Sequence, residues 1–421
     1  MHRTLYNALL YAALPFIPLR LWWRGIKEPG YRRHWAERFG RYSTRPSRPV
    51  LWIHAVSLGE TRAAQPLVRA LLARYPDHQL LVTHMTATGR LAGEELFPGA
   101  LIAYLPYDYP FAVEAFLQHF RPHVGVLMET EVWPNLIRAA RRRLIPMVLV
   151  NARLSARSAR GYARFANLAR EAFGGLTAVG AQSEVDAVRL AAVGAASVAI
   201  TGNVKFDVEP PPQSAVLGEQ FRAWFGDRPV FLAASTREGE EALILDALAR
   251  HPLAAQPPQG APLVVIVPRH PQRFDVVAEL LRARKIPFAR RSEARAVPPD
   301  VGVVLGDSMG EMTAYYRAAD LAFIGGSLLP FGAQNLIEAC AAGTPVLIGP
   351  SSFNFAQAAV LAIEARAAHQ IENADDLVAV AQRLLTDRSQ RKTMGRRGQE
   401  FAVQHRGATA RTVELITVAM R

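Results

Sequence analysis

The sequence of 421 residues contains a single cysteine, Cys340, so no disulfide can form within the chain. It lacks clustered Cys and His residues that could hold zinc, and it has no Asp-x-Asp tripeptide for a metal-bound diphosphate. Neither a G-x-G-x-x-G fingerprint nor a Walker A loop is present, which disfavours dinucleotide oxidoreductases and phosphoryl transfer from ATP. We therefore expect no metal and no cofactor. These absences favour an enzyme that uses a nucleotide-activated donor whose leaving group is a nucleoside monophosphate.

Acidic residues are in the minority, since 36 Asp and Glu stand against 49 Lys and Arg and give a formal net charge of +13. Residues 1–50 hold ten of the basic residues and two of the acidic ones, a net charge of +8. Such a surface favours an anionic partner, which can be nucleic acid, acidic lipid or a phosphorylated substrate. A non-enzymatic module that binds a polyanion is therefore one alternative.

The apolar run at residues 5–19, LYNALLYAALPFIPL, is shorter than the roughly 20 residues that span a bilayer, and two prolines weaken it as a helix. Aromatic and basic residues follow it, among them Trp22, Trp23 and Arg24. This flank favours a membrane-interface anchor over a signal peptide or a buried helix. Because the positive charges follow the apolar run, we expect the body of the protein on the cytoplasmic side of the membrane.

From residue 50 onwards, short apolar runs alternate with helical stretches, which is typical of a parallel sheet with helices on both faces. A proline-rich linker, FDVEPPPQS at 206–214, separates two such series. The sequence thus predicts an α/β protein with two doubly wound, Rossmann-like domains facing a central cleft. The expected division is an anchor and basic segment at 1–48, domains at 49–207 and 208–395, and a helix at 396–421 that packs back toward the first domain.

Acidic residues follow two of the predicted strands in the first domain. Glu60 ends the stretch LWIHAVSLGE, and Glu129 and Glu131 follow the strand VGVLM. Glu60 either caps the next helix or accepts a proton from a substrate hydroxyl. Alternation places Glu129 and Glu131 on one side of the chain, where they cap, pair with the basic run at 141–143, or hold a base or a sugar hydroxyl.

Basic residues and amides follow two further strands of this domain. Asn151 and Arg153, in VNARLSARS, offer donors that suit an anion, although a solvated basic helix explains them equally well. Lys205, in GNVKFD, follows the last strand and could stabilise the charge on a leaving phosphate.

In the second domain, strand ends and helix starts suit a nucleotide. Ser235 and Thr236 are expected to cap a helix whose free amides bind phosphate. Arg269, after the strand PLVVIVP, is a candidate phosphate ligand. In the stretch FIGGSLLPFGAQNLIEACAAGTPVLIGP, the glycine pair predicts a tight turn, Asn335 a helix cap and Glu338 a partner for ribose hydroxyls.

Together these segments resemble the Kdo transferases of lipopolysaccharide synthesis, where Kdo is 3-deoxy-D-manno-octulosonic acid. The resemblance runs in order through HAVSLGE, METEVWPNLI, NARLSARS, GNVKFD, ASTREGEE, VPRHPQRF, GDSMGEM and the glycine-rich stretch. It implies a GT-B glycosyltransferase that moves Kdo from CMP-Kdo to a lipid A precursor, lipid IVA, with inversion. It also implies the cytoplasmic side of the inner membrane, an anionic membrane surface as partner, and no nucleic acid.

The resemblance also implies individual roles. Glu60 would be the general base that takes the proton from a glucosamine 6-hydroxyl, and Glu129 and Lys205 would stabilise the transition state. The implied contacts to CMP are Pro268, Arg269, Met309, Gly310, Glu311, Asn335, Leu336, Ile337 and Glu338. Further candidates are Glu131, Ser235 and Gly326. Ala333 departs from the family pattern, because it replaces a second glycine in the loop before Asn335.

The alternative function for such a fold is a glycosyltransferase that uses a UDP-sugar donor for another envelope glycan.

Overall fold

Short apolar segments between residues 50 and 200 form a seven-stranded parallel sheet. Both faces of this sheet are covered, since Trp52 packs with Phe116 on one face while Ile53 packs with Leu67 on the other. The sheet order β3-β2-β1-β4-β5-β6-β7 reverses direction between β1 and β4. The strands are β1 Val50–His54, β2 Gln79–His84, β3 Leu101–Tyr104, β4 Pro122–Met128, β5 Met147–Ala152, β6 Ala178–Ala181 and β7 Val198–Ile200.

Helices precede this sheet and connect its strands, as parallel pairing requires. They are α1 Arg3–Ala13, α2 Phe16–Lys27, α3 Leu58–Ala63, α4 Gln65–Arg74, α5 Ala87–Leu96, α6 Pro110–Phe120, α7 Pro134–Arg142, α8 Ala156–Ala163, α9 Ala166–Phe173 and α10 Glu184–Ala192. Pro134 opens α7, as the sequence indicates, because proline lacks only an N–H that the first helical turn leaves unpaired.

A second seven-stranded parallel sheet follows, with the order β10-β11-β9-β8-β12-β13-β14. Its strands are β8 Val230–Thr236, β9 Leu263–Pro268, β10 Phe288–Arg290, β11 Val303–Leu305, β12 Leu321–Ile324, β13 Val346–Ile348 and β14 Ala368–Gln370. Its helices are α11 Ser214–Phe225, α12 Glu240–Arg250, α13 Phe274–Ala283, α14 Met312–Ala318, α15 Ile337–Ala342, α16 Ala356–Glu364, α17 Ala374–Thr386 and α18 Arg388–Gln404, and α19 Ala408–Ala419 ends the chain. Cys340 is buried in α15.

The two doubly wound sheets confirm the α/β fold class. Every apolar run that the sequence marks as a strand becomes one, but β14 was not predicted. This strand has three residues, of which His369 and Gln370 are exposed, so it carries no apolar run that would reveal it. Its position at the edge of the sheet explains why polar side chains are tolerated there.

The computed structural model describes residues 2–208, 212–254 and 260–421, which divide into two units. The first unit contains residues 2–208 and 405–421, and the second contains residues 212–254 and 260–404. Of the expected anchor and basic segment, residues 2–48 thus belong to the first unit. The centre of the expected linker, 209–211, lies outside the described residues.

The C-terminal segment 396–421 is two helices instead of one, and they belong to different units. Helix α18 stays in the second unit, where Gly395 and Gly398 let it approach the backbone of α15 closely. Helix α19 packs in the first unit, where Tyr75 donates to the hydroxyl of Thr417 at 3.1 Å. The chain therefore returns to the first unit after Gln404, nine residues later than the expected boundary at 395/396.

The apolar run at 5–19 is split between α1 and α2, which separate at Leu14 and Pro15. Among the helices of the described residues, none is long and apolar enough to cross a membrane.

Asp207 caps α19, and this contact generates the first prediction. Its two carboxylate oxygens accept the N–H groups of Gly407 at 2.7 Å and Thr409 at 2.5 Å. Asp207→Ala leaves both donors unpaired and removes a charge from the helix N-terminus, so α19 should lose about 1–2 kcal/mol of local stability. Hydrogen exchange of residues 408–419 measures this loss. Asp207→Asn, which keeps one acceptor oxygen, should lose less, and unchanged exchange in Asp207→Ala would show that the cap contributes nothing.

Candidate active site

The candidate catalytic residues of the first unit follow β1, β4, β5 and β7. All strands of this sheet are parallel, so their carboxyl ends lie at one edge. β1 and β4 are neighbours at the point where the strand order reverses, and Glu60 and Glu129 follow these two strands. In open α/β sheets, ligands bind at this point.

Glu60 lies in the first turn of α3, and its carboxylate folds back over the loop that connects β1 to this helix. One oxygen accepts the backbone N–H of Val56 at 2.8 Å, and the other accepts the hydroxyl of Ser57 at 3.2 Å. Burial raises the pKa of Glu60 to about 8, and the charges of Glu129 and Glu131 act in the same direction. Glu60 therefore caps its own loop and also exchanges a proton near neutral pH.

Glu129 follows the last residue of β4 and is held between two cations. Its Oε1 atom lies 3.0 Å from the Nζ atom of Lys205, and its Oε2 atom lies 3.1 Å from the Nη2 atom of Arg153. Burial alone would raise the pKa of Glu129, but the two cations outweigh it, so this pKa lies below its ordinary value. Glu129 therefore stays ionised at neutral pH, in contrast to Glu60.

The basic run at 141–143 does not supply the partners of Glu129. Arg143 pairs with Glu114 on α6, with 2.8 Å between the Nη2 and Oε2 atoms. From the sequence alone, the cation partner of Glu129 was left open, and the basic run at 141–143 was one candidate because it is close along the chain. The observed partners come instead from the segments after β5 and β7, which the parallel sheet brings to the same edge.

Asn151 connects the segments that carry these two cations. It is fully buried, has a left-handed backbone with φ of 52°, and accepts the N–H of Val204 through its Oδ1 atom at 3.2 Å. Arg153 lies two residues after Asn151, and Lys205 directly follows Val204. The Nδ2 atom of Asn151 has no hydrogen-bond partner among the described residues. Asn151 thus fixes the backbone that positions both cations.

Glu131 lies two positions after Glu129 but has a different environment. Glu129 has a left-handed backbone with φ of 59°, so the strand alternation that predicted a shared side ends at Met128. The Oε2 atom of Glu131 accepts the indole N–H of Trp133 at 2.9 Å, and burial raises the pKa of Glu131. No cation within 4.0 Å pairs with Glu131 in the described part of the chain.

The candidate donor residues of the second unit lie on three loops at the carboxyl edge of its sheet. Pro268 ends β9 and Arg269 follows it, Met309, Gly310 and Glu311 precede α14, and Asn335, Leu336, Ile337 and Glu338 surround the start of α15. The Nε atom of Arg269 donates to the Oε1 atom of Gln334 at 3.1 Å, which joins the first loop to the third. The structure thus brings residues from distant parts of this unit to one edge.

The loops also hold several candidates in place internally. The Oε1 atom of Glu311 accepts from Arg291 at 2.8 Å, while its buried Oε2 atom has no hydrogen-bond partner among the described residues. The Oδ1 atom of Asn335 accepts the N–H of Ile337 at 3.0 Å, and its Nδ2 atom donates to Glu338 at 2.9 Å. The N-cap residue of α15 is Leu336, so Asn335 is not the cap that the sequence predicts, but it lies one residue earlier and bonds the first N–H of the helix.

The expectation that Ser235 or Thr236 caps a helix is wrong. Thr236 ends strand β8, and α12 begins only at Glu240 after Gly239, whose φ is 92°. Ser235 has a left-handed backbone with φ of 56°, and its hydroxyl lies 3.4 Å from the Sδ atom of Met312. Both residues still lie at the carboxyl edge of the sheet.

The sequence analysis did not identify Glu240 as a structural residue. Its carboxylate binds backbone N–H groups that were expected to bind a phosphate. Its carboxylate is fully buried and accepts the N–H groups of Arg237 at 2.8 Å, Gly326 at 2.6 Å and Leu328 at 3.0 Å. Burial raises the pKa of Glu240, although these N–H groups oppose the rise. The amide of Gly326 is therefore already bonded, and the role of the glycine pair is to form the turn. The sequence signal that could have identified Glu240 is its position in ASTREGEE, where an acid follows a strand and begins a helix.

No group of three or more His, Cys, Asp and Glu side chains could hold a metal ion within residues 2–208, 212–254 and 260–421. The first unit thus offers a carboxylate with a raised pKa beside a second carboxylate that binds two cations. Glu60 can accept a proton from a hydroxyl, and the two cations held by Glu129 can stabilise negative charge on a leaving group.

Two protein-family models and a solved structure are similar to parts of this chain. Residues 33–208 match the family described as 3-Deoxy-D-manno-octulosonic-acid transferase (kdotransferase), and residues 283–401 match the glycosyl transferases group 1. The fold is similar to that of a solved glycosyltransferase from Rickettsia africae, with a TM-score of 0.57, 12% identity, and coverage of 89% of this chain and 98% of that one.

Two curated relatives align over almost the whole chain. The 3-deoxy-D-manno-octulosonic acid transferase of Bordetella pertussis is 45% identical over 99% of both chains. The enzyme of the same name from Haemophilus influenzae is 36% identical over 99% of this chain and 98% of its own. The chain therefore belongs to the 3-deoxy-D-manno-octulosonic acid (Kdo) transferases and is a glycosyltransferase.

Proposed function

We propose that this Kdo transferase moves Kdo from CMP-Kdo to the 6-hydroxyl of the distal glucosamine of lipid IVA. Glu60 takes the proton of this hydroxyl, and the oxygen attacks the anomeric carbon of Kdo. The bond from that carbon to the phosphate oxygen of CMP breaks, CMP leaves with the electron pair, and the anomeric configuration inverts.

The observation that carries this proposal is the opposite protonation behaviour of two neighbouring carboxylates. Burial raises the pKa of Glu60 to about 8, while the cations at Glu129 keep the pKa of that residue below its ordinary value. Pairs of acids whose pKa values are driven apart mark the acid–base assignment of an active site. Glu60 suits the base because its pKa lies near the working pH and its carboxylate is held by Val56.

Glu129 and Lys205 have a different role in the proposal. The ion pair with Glu129 holds the ammonium group of Lys205, which is mostly buried, so this charge is preorganised before substrate binds. The second cation, Arg153, gives the cluster a net positive charge. A positive cluster suits a reaction in which both the sugar carboxylate and the leaving phosphate are anionic.

The donor contacts are assigned to the second unit. We propose that CMP is bound by Pro268, Arg269, Met309, Gly310, Glu311, Asn335, Leu336, Ile337 and Glu338, with Ser235 and Gly326 shaping the adjoining loops. Arg269 supplies a guanidinium group for the phosphate. Asn335 donates to the carboxylate of Glu338 at 2.9 Å, and we assign this carboxylate at the start of α15 to the hydroxyls of the ribose.

We further propose that the protein lies on the cytoplasmic side of the inner membrane and binds its surface through the N-terminal helices. Helix α1 turns its polar side chains toward the body of the first unit, where Arg3 pairs with Glu171 at 2.7 Å and Asn7 bonds Asn135 at 2.7 Å. Other side chains of α1, among them Leu5 and Leu9, are apolar and point outward, which is unusual for a helix face that meets water. Seven large apolar residues of α1 and α2 are more than half exposed: Leu5, Leu9, Phe16, Leu19, Trp22, Trp23 and Ile26. Exposed tryptophans beside basic residues favour the interface of an anionic membrane.

The base assignment predicts the behaviour of Glu60→Gln. The amide keeps an acceptor for Val56 but cannot take a proton, so kcat should fall by about 10²–10⁴-fold while CMP affinity is retained. Release of CMP from CMP-Kdo in the presence of lipid IVA measures turnover, and calorimetry measures CMP binding. Glu94→Gln, which changes an exposed acid on α5, is the matched control and should keep normal turnover. Normal turnover by the Glu60→Gln enzyme would show that Glu60 is not the base.

The donor assignment has its own test. If the wild-type enzyme turns over UDP-sugars but not CMP-Kdo, the assignment of CMP-Kdo as donor is wrong.

The raised pKa of Glu60 predicts an alkaline pH profile. The base acts only when deprotonated, so kcat/KM should increase about tenfold per pH unit below the midpoint and level off above it. The midpoint should lie near the pKa of about 8. Because the charge of Glu131 contributes to that pKa, Glu131→Gln should move the midpoint to lower pH. A profile that is level from pH 6 to pH 9, which would show no titrating base, contradicts the assignment.

Outward-facing apolar residues predict membrane binding. The double substitution Leu9→Glu and Phe16→Glu places two charges on the exposed face of α1 and α2, so partition onto vesicles should weaken by about tenfold or more. Co-sedimentation with vesicles of phosphatidylglycerol and phosphatidylethanolamine measures it. The control pair Val188→Glu and Val216→Glu changes equally exposed residues on α10 and α11 and should bind normally. Equal binding of both double variants would exclude this face as the anchor.

A further inference from the structure

The first unit contains a pocket of about 500 Å³ between the N-terminal helices and the loops at the carboxyl edge of its sheet. One wall is formed by Tyr6, Leu10, Ala13 and Ile17. These residues are three or four positions apart, so they form one stripe along α1 and the start of α2. This stripe turns toward the body of the unit and is separate from the outward apolar face that includes Leu9.

The opposite wall comes from loops that also carry the candidate active site. Met85 follows β2, Tyr107 and Tyr109 follow β3, and Val132 and Trp133 follow β4. Because these strands are parallel, the pocket lies at the same edge of the sheet as Glu60 and Glu129. Its volume is within the range of about 300–1,000 Å³ that is common for small-molecule sites.

The polar groups around this pocket are satisfied by the protein. The carboxylate of Asp108 accepts the hydroxyl of Tyr6 and the N–H groups of Asn135 and Leu136, each at 2.9 Å. The hydroxyl of Tyr109 donates to the carbonyl of Leu10 at 2.8 Å. A ligand therefore meets a mainly apolar lining, to which Arg20 adds one cation. This combination suits a hydrocarbon chain attached to an anionic head group.

Trp133 connects the pocket to the reacting groups. Its ring lines the pocket, while its indole N–H donates to Glu131 at 2.9 Å. The charge of Glu131 in turn raises the pKa of Glu60. A chain seated against Trp133 would therefore place its head group beside the carboxylates. The pocket also continues along α1 and α2, whose outer face is proposed to lie in the membrane, so a lipid chain can reach it from the bilayer.

We propose that this pocket receives one acyl chain of the glycolipid acceptor, with Arg20 near an anionic group at the start of that chain. The assignment rests on the proposed function. Binding of the chain holds the sugar hydroxyl within reach of Glu60, so that acylation of the acceptor contributes to substrate recognition as well as to membrane attachment.

Ala13→Trp tests this assignment because the larger side chain fills the pocket from the helix side. Its matched control is Ala12→Trp, which adds the same ring one residue earlier on α1, outside the lining. For Ala13→Trp, KM for acylated lipid IVA should rise about tenfold or more, since an apolar chain loses its site. Turnover at saturation, KM for CMP-Kdo and vesicle binding should match those of Ala12→Trp, and the fully deacylated acceptor should show no difference between the variants.

Direct binding of a fluorescent acyl chain, 11-(dansylamino)undecanoic acid, separates this proposal from the proposed function. The wild-type protein should bind the probe, lipid IVA should displace it, and Ala13→Trp should bind it weakly. Equal probe binding by both variants, or an equal rise in KM for acylated and deacylated acceptors, would overturn the assignment. Displacement by phospholipid but not by lipid IVA would assign the pocket to bulk lipid and also overturn it. Failure of the proposed function would appear differently, as probe binding by a protein that transfers no Kdo.

Discussion

The ion cluster around Glu129 is the interaction on which the candidate active site depends. A buried carboxylate without a partner would take up a proton, but Lys205 and Arg153 keep Glu129 ionised. Glu60 has no such cations, so burial raises its pKa, and the charge of Glu129 adds to the rise. The presence or absence of paired cations thus explains why two acids at adjoining strand ends behave differently, and why one of them suits a base. Asn151 supports this arrangement by bonding the segment that presents Lys205.

Both units use a glutamate from the first helical turn to close the loop after their first strand. Glu60 accepts the N–H of Val56 in the first unit, and Glu240 accepts three N–H groups in the second. The consequences differ because the surroundings differ. Glu240 is fully buried and fully bonded, so it can only organise the loops around it. Glu60 is partly exposed and makes fewer bonds, so its carboxylate remains able to exchange a proton.

In our two proposals, the N-terminal helices connect membrane attachment with recognition of the acceptor. Their outward face carries exposed apolar side chains, while the inward face carries polar contacts to the body and one wall of the apolar pocket. A group of exposed apolar side chains often marks a surface that a membrane or another molecule covers. The same two helices can therefore hold the protein at a lipid surface and receive a chain from it.

The sequence by itself determined the two parallel sheets and the positions of the acids after their strands. Alternation, apolar runs and helix-start residues such as Pro134 are local signals, and each can be read within about ten residues. The family resemblance, carried by ordered motifs, added the class of reaction that the curated relatives then confirmed. Three-residue strands with polar side chains, such as β14, carry too little signal to be read in this way.

Only the tertiary structure decided which cations meet Glu129, where Glu240 bonds and which face of α1 turns outward. Lys205 lies 76 residues from Glu129 along the chain. A contact over such a distance depends on strand order, which local patterns do not encode. The pKa of Glu60 likewise results from burial and from charges on other loops. Burial and the distances between charged groups are set only when the sheet brings the strand ends together. They decide that Glu129 binds cations and that Glu60 can act as a base.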